Sequence, residues 1–249
     1  MSKKHFIASG CSFTFEPWNW PTPLTNHFGM NLINVGMSGQ GNGLISKKVI
    51  YQVQKQLKEG KSPDDIFVGI MWSGVDRFSI YVPDTYQRKN LNGWVKNPTT
   101  VTGKEEDSHW LLLSGGWEDL HSKQWYVGFQ QHIGSTIRTL EYILYTQWFL
   151  EKNNIKYFMT TYLDIFHKEN DDVTSNKDVS YLYEMVDFSK FLPVKGQYEW
   201  VNKHYPEFGL PDNGDHHPTE YGHKKFTEEV IIPYVESNFD INDIKRKLL

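Results

Sequence analysis

The chain has 249 residues, with 26 Lys and Arg against 30 Asp and Glu, a length suited to one large α/β domain with a sizeable core. The mildly acidic balance leaves no electrostatic footprint for nucleic acid, and the basic residues are scattered apart from Lys245, Arg246 and Lys247. One cysteine, Cys11, excludes an intramolecular disulfide and a multi-cysteine zinc site, and no apolar stretch is long enough for a signal peptide or a membrane span. The expectation is therefore a protein of the reducing cytosol with no nucleic-acid or membrane partner; a virion protein released by lysis would read the same way. Nothing in the sequence bears on oligomeric state. Nine Trp, fourteen Tyr and fifteen Phe suit either a core of large residues or a groove for sugar rings.

Residues 4–9 read as a short buried strand ended by Gly10, and Asn31 to Val35 as a second strand closed by Gly36. Leu44 to Lys58 carries Leu44, Ile45, Val49, Ile50, Val53 and Leu57 at helical spacing. Gly60, Ser62 and Pro63 break the chain before Asp65 to Trp72, a near-continuous apolar run that predicts a strand covered on both faces. The stretch from 79 to 131 lacks periodicity and holds Trp94, Trp110, Trp117 and Trp125; it reads as an insertion over the strand ends containing small elements. His132 to Lys152 is the longest predicted helix, Ile155 to Tyr162 another strand, and Thr219 to Asn238 a final helix that Pro233 kinks or ends. Strands alternating with helices predict a parallel sheet wrapped on both faces, with ligands beyond the C-terminal strand ends.

Three motifs follow predicted strand ends or precede the last helix. Ser9-Gly10-Cys11-Ser12-Phe13-Thr14 presents a serine on a tight turn, where a base can activate it, although turn and cap serines are common. Between the two candidates at this turn, Ser12 is the expected nucleophile and Cys11 is expected to face the core. The segment Asn34 to Gly43 places Gly36, Gly39, Gly41 and Gly43 within eight residues. Such a loop lets backbone amides approach a ligand, and it matches neither a Walker lysine nor a dinucleotide fingerprint. Asp212 to His223 contains Asp215, His216, His217 and Pro218. A histidine on a proline-fixed turn with a nearby carboxylate suits a serine base; read instead as a metal site, Asp215, His216, His217 and His223 would be the ligands.

Together these blocks resemble the SGNH hydrolases, a branch of the GDSL esterase and lipase group, across most of the chain. That family sets its serine in a Gly-Asp-Ser turn, a glycine after the second strand, an asparagine after the third, and Asp-x-x-His near the C-terminus. The resemblance implies a three-layer flavodoxin-like α/β fold, no metal or organic cofactor, Ser12 as nucleophile, His217 as base, and oxyanion amides at Gly39 and Ser12. Cys11 stands where the family has Asp. Gly214 occupies the usual carboxylate position, so Asp215 is the expected orienter, with Asp212 as runner-up. The third strand ends Trp72-Ser73-Gly74-Val75-Asp76-Arg77, without the family asparagine. Ser73, then Asn42, then Arg77 are the candidate replacement donors, because losing one oxyanion donor costs about 100- to 1,000-fold in rate. The Gly-Cys-Ser-Phe-Thr and Trp-Ser-Gly-x-x-Arg strings are most similar to SGNH-type proteins of tailed phages. The expected activity is hydrolysis of a small-molecule or carbohydrate ester, an O-acetyl sugar foremost. The alternative is a non-catalytic carbohydrate-binding or virion structural module on the same fold.

Overall fold

A computed structural model describes residues 3–83, 108–113, 120–168, 171–172, 175–209 and 217–240. The first half runs β1 (His5–Ser9), α1 (Ser12–Phe15), α2 (Pro21–Phe28), β2 (Asn31–Asn34), α3 (Asn42–Lys58), β3 (Ile66–Trp72), β4 (Phe78–Pro83), β5 (Ser108–Leu113) and α4 (Leu120–Gly128). Then come α5 (His132–Lys152), β6 (Lys156–Thr161), the short pair β7 (His167–Lys168) and β8 (Asp171–Asp172), α6 (Lys177–Met185), α7 (Gln197–His204), α8 (Pro206–Gly209), α9 (Glu220–Phe226) and α10 (Ile232–Asn238).

The main sheet is parallel in the order β2-β1-β3-β6. Beyond β6, Phe191 makes a parallel bridge to Met159 and Leu192 N–H donates to Met159 O at 2.9 Å. A fifth strand position is thus reduced to a bridge, and the order follows the doubly wound pattern. Side-chain alternation splits the core into two layers. Ile7, Val68, Ile70, Trp72, Tyr157 and Met159 face Ile45, Val49 and Val53 of α3 and Leu140, Ile143 and Leu144 of α5. Phe6, Ala8, Phe67, Met71 and Phe158 face Trp20, Leu24 and Phe28 on one side of α2 and Phe226, Val230, Ile231 and Val235 of the C-terminal helices. All seven residues of β3 are buried, as its unbroken apolar run predicts. The fold is therefore the three-layer α/β arrangement expected from the sequence.

Inside the 79–131 stretch, β4 and β5 pair antiparallel from Phe78↔Leu113 to Pro83↔Ser108, and α4 follows. Trp94 and Trp117 lie outside the described residues. In the last helix, Pro233 lacks the N–H for an i−4 bond. A π-helical turn at Thr227–Ile231 absorbs the mismatch, and Pro233 sits in the first turn of α10. Among the described residues, no helix is long and apolar enough to cross a membrane.

Candidate active site

The C-terminal ends of β1, β2, β3 and β6 deliver four loops to one edge of the sheet, beginning at Gly10, Val35, Ser73 and Tyr162. Because β1 lies between β2 and β3, this edge holds the point at which the strand order reverses, where doubly wound sheets bind ligands.

At the first loop the chain turns from β1 into the single turn α1. A Cβ on Gly10 would lie 2.2 Å from Thr14 Oγ1 and 2.9 Å from Met71 O, so only glycine lets α1 fold back this tightly. Three side chains pin the turn. Asn19 Nδ2 donates to Ser12 O at 2.7 Å, Asn34 Nδ2 to Thr14 O at 2.7 Å, and Trp20 Nε1 to Thr14 Oγ1 at 3.0 Å. Cys11 is wholly buried in the core behind the turn, while Ser12 is half-buried. Ser12 is the first residue of α1, so its amide is one of the N–H groups a helix leaves without an internal partner.

The glycine-rich loop is tied to the same turn. Gly10 O accepts from Met37 N at 3.1 Å and from the buried Gln40 Nε2 at 3.1 Å, and Asn34 Oδ1 accepts from Gly36 N at 2.9 Å. Gly39 adopts a left-handed φ of 77° and is buried one residue before Gln40. Lys48, from the second turn of α3, lies 4.0 Å from Met37 Sδ, and burial pushes its ammonium pKa down to about 8.

His217 arrives from the opposite side. It precedes the buried Pro218 and the N-cap Thr219, whose hydroxyl accepts from Gly222 N and whose amide donates to Phe208 O at 3.0 Å. His217 Nε2 lies 2.6 Å from Ser12 Oγ, joining residues 205 positions apart. The ring also packs on Phe13 at 4.9 Å between centroids. With Nδ1 protonated, Nε2 accepts the serine proton, which is the tautomer a general base requires. The histidine block's other candidates, Asp212, Asp215 and His216, lie outside the described residues.

His223 stands next to this pair but is not part of it. It is 1% exposed, its Nδ1 sits 2.7 Å from Gln197 Nε2, and its pKa is pushed down to about 3 by burial and then by His217. A neutral ring whose Nδ1 accepts from an amide carries its proton on Nε2, so neither nitrogen has a lone pair to offer a metal ion. Among the described residues, no group of three or more His, Cys, Asp and Glu is placed to hold a metal ion.

The candidates for a third oxyanion donor separate. Asn42 is fully committed: its Nδ2 donates to Ser73 O at 3.0 Å and Thr139 Oγ1 at 3.2 Å, and its Oδ1 accepts from Ser73 N at 2.7 Å. It clamps the end of β3 to α3 and α5 and has no N–H left for a ligand. This overturns its place as second choice, because the clamp joins residues 31 apart and is invisible to spacing arguments. Ser73 is wholly buried, and its hydroxyl has no hydrogen-bond partner, Ser12 included. Arg77 lies on the same loop, its guanidinium stacked over the Tyr162 ring at 5.1 Å and beside the Cys11 side chain. The sequence also gave no role to Asn19, Gln40 or Gln197. A buried amide side chain next to a glycine turn is the one local sign that could have flagged Gln40.

Among solved structures, the chain is similar to the psychrotrophic esterase EstA from Pseudoalteromonas sp., with 9% identity, a TM-score of 0.48, and 94% of this chain and 97% of that one covered. It is similar to an acetyl xylan esterase, AlAXEase, at 14% identity and a TM-score of 0.43, covering 90% and 96%. It is also similar to the salicylyl-acyltransferase SsfX3 from a tetracycline biosynthetic pathway, at 12% identity and a TM-score of 0.41, covering 92% of this chain and 53% of that one. No curated protein matches the chain in sequence. A family described as a family of unknown function, DUF6071, matches residues 8–246, and the chain belongs to that family.

Proposed function

We propose that the protein is a serine ester hydrolase. The observation that carries this reading is the 2.6 Å contact between His217 Nε2 and Ser12 Oγ at the strand-order reversal. Ser12 Oγ attacks the ester carbonyl and its proton passes to His217 Nε2. The negative charge that develops on the carbonyl oxygen is met by the amides of Ser12 and Gly39. Collapse of the intermediate expels the alcohol, which takes the proton back from His217. Water, deprotonated by His217, then releases the acid and restores Ser12. Asp215 is the proposed orienter of His217, and Ser73 the proposed side-chain donor from the third loop.

The proposed substrate is a short acyl group, acetyl foremost, on a carbohydrate. What supports the sugar is the hairpin that leaves the third loop: Tyr81 is 53% exposed and packs 5.2 Å from the half-buried Trp110, offering flat faces of the kind sugar rings stack on. A binding module on the same fold is favoured by one observation, the commitment of Asn42 to Ser73, which leaves the third donor to a buried hydroxyl. Release of p-nitrophenol from p-nitrophenyl acetate separates the two. The esterase predicts turnover that falls at least about 1,000-fold in Ser12→Ala; equal rates in wild type and variant assign the fold to binding alone.

A further inference from the structure

Arg77 is a half-buried cation, and one nitrogen of its guanidinium is enclosed. Its Nη1 is excluded from solvent and has no hydrogen-bond partner, and among the described residues no carboxylate lies within ion-pair distance of it. Asp76, next to it in sequence, and Tyr162 act on it through space, and the Cys11 side chain lies within hydrogen-bonding reach of it. A guanidinium stays charged at any working pH, and an enclosed N–H of a charged group without an acceptor is costly. A structure that holds one in place this way is complementary to an anion.

The surroundings fix where that anion would sit. The guanidinium stacks on the Tyr162 ring at 5.1 Å, Tyr162 packs on Phe13 at 4.8 Å, and Phe13 packs on His217 at 4.9 Å. Cys11, which the guanidinium adjoins, immediately precedes Ser12. On its other side the backbone of Arg77 presses against the glycine-rich loop: a Cβ on Gly41 would lie 2.7 Å from Arg77 O. Arg77 is therefore wedged between the nucleophile turn and the loop that carries Gly39. The turn it stands on is closed by Arg77 N donating to Gly74 O at 3.2 Å, and its loop begins at Ser73, whose buried hydroxyl is the other donor there without a partner. A transient oxyanion would leave this cation unpaired for most of the catalytic cycle; a ligand that is anionic throughout would not.

We infer that Arg77 forms a carboxylate-binding subsite beside Ser12 and that the preferred substrates are esters carrying a carboxylate, on either the acyl or the alcohol side. The inference deepens the esterase reading, and one part of its test does not depend on catalysis. Three probes are compared in wild type and Arg77→Gln: p-nitrophenyl acetate, which is neutral; mono-p-nitrophenyl succinate, with the carboxylate on the acyl side; and 4-acetoxybenzoate, with it on the alcohol side. A lost charge-assisted hydrogen bond predicts that the wild-type kcat/KM preference for one anionic probe over the neutral one falls about 10- to 100-fold in Arg77→Gln, chiefly through KM. The probe that responds tells which side bears the charge. Arg77→Lys, which keeps the charge, should retain part of the preference and guards against a folding defect. In parallel, succinate and 4-hydroxybenzoate are titrated by calorimetry into Ser12→Ala with and without Arg77→Gln. Binding that needs Arg77, with no turnover of any ester, would sink the hydrolase reading and leave the subsite standing. Equal losses on all three esters in kcat, with no carboxylate binding in Ser12→Ala, would overturn the subsite and assign Arg77 to the oxyanion.

Discussion

Replacing His223 with glutamine changes how the fold responds to acid, and the size of the change follows from the burial of one ring. In the unfolded chain a histidine titrates near 6.5. In the folded protein burial, and then the neighbouring His217, lower the pKa of His223 to about 3. Between those values the unfolded state binds a proton that the folded state refuses. The stability His223 allows is thus fully present above pH 6.5 and is lost as the pH falls below it, at about 1.4 kcal/mol per pH unit. At pH 5 the loss is about 2 kcal/mol, a large share of a typical 5–15 kcal/mol total. Glutamine keeps an amide facing Gln197 and does not titrate. Urea unfolding followed by tryptophan fluorescence, at steps from pH 7.5 to 5.0, measures both proteins under the same carboxylate background. Wild type should lose about 2 kcal/mol more than His223→Gln across that range. Parallel stability profiles would refute the reasoning, because they would mean that the folded protein protonates His223 normally. The same neutrality matters for chemistry: the imidazolium that forms on His217 during turnover has no second cation in His223.

Gly10→Ala forces a Cβ to within 2.2 Å of Thr14 Oγ1, so α1 must shift; a thermal melt should show a loss of about 1–3 kcal/mol, with ester turnover falling about 10-fold or more as Ser12 moves off line. Asn42→Ala removes the clamp on Ser73 and leaves its buried amide N–H unsatisfied. That should cost about 1–3 kcal/mol in urea unfolding, and an unchanged midpoint would show that the clamp is dispensable. Cys11, wholly buried in the core, should not react with Ellman's reagent in the native protein and should titrate as one thiol in urea; rapid native reaction would place it in the cleft instead.

The elements that the sequence made plain are those whose burial is written locally. The seven-residue β3 run and the helical spacing from Leu44 to Leu57 each need only one amphipathic or apolar segment to be recognised. The hairpin of β4 and β5 escaped because its strands are separated by residues 84–107, so no short turn announced the pairing. Helix α2 escaped because Pro21 and Pro23 look like chain breakers, although Pro21 occupies the first helical position, where a missing N–H costs nothing. At the site, Ser12 and His217 could be singled out only through motif order, since 205 residues separate them. The commitment of Asn42 and the enclosed, partnerless Nη1 of Arg77 are tertiary facts. Each depends on which neighbour a side chain meets across the loops, and neither residue differs locally from an ordinary cap or surface group.

The central claim is that Ser12 is a nucleophile activated by His217, and covalent trapping tests it without knowledge of the substrate. An activated phosphonate ester with a p-nitrophenol leaving group reacts with such a serine and leaves a stable adduct on the oxygen. Intact-mass analysis should show one phosphonyl group per chain, located by peptide mapping to Ser12, absent in Ser12→Ala and slowed by at least about 100-fold in His217→Ala. No adduct on the native protein, or the same labelling rate in His217→Ala, would contradict the claim.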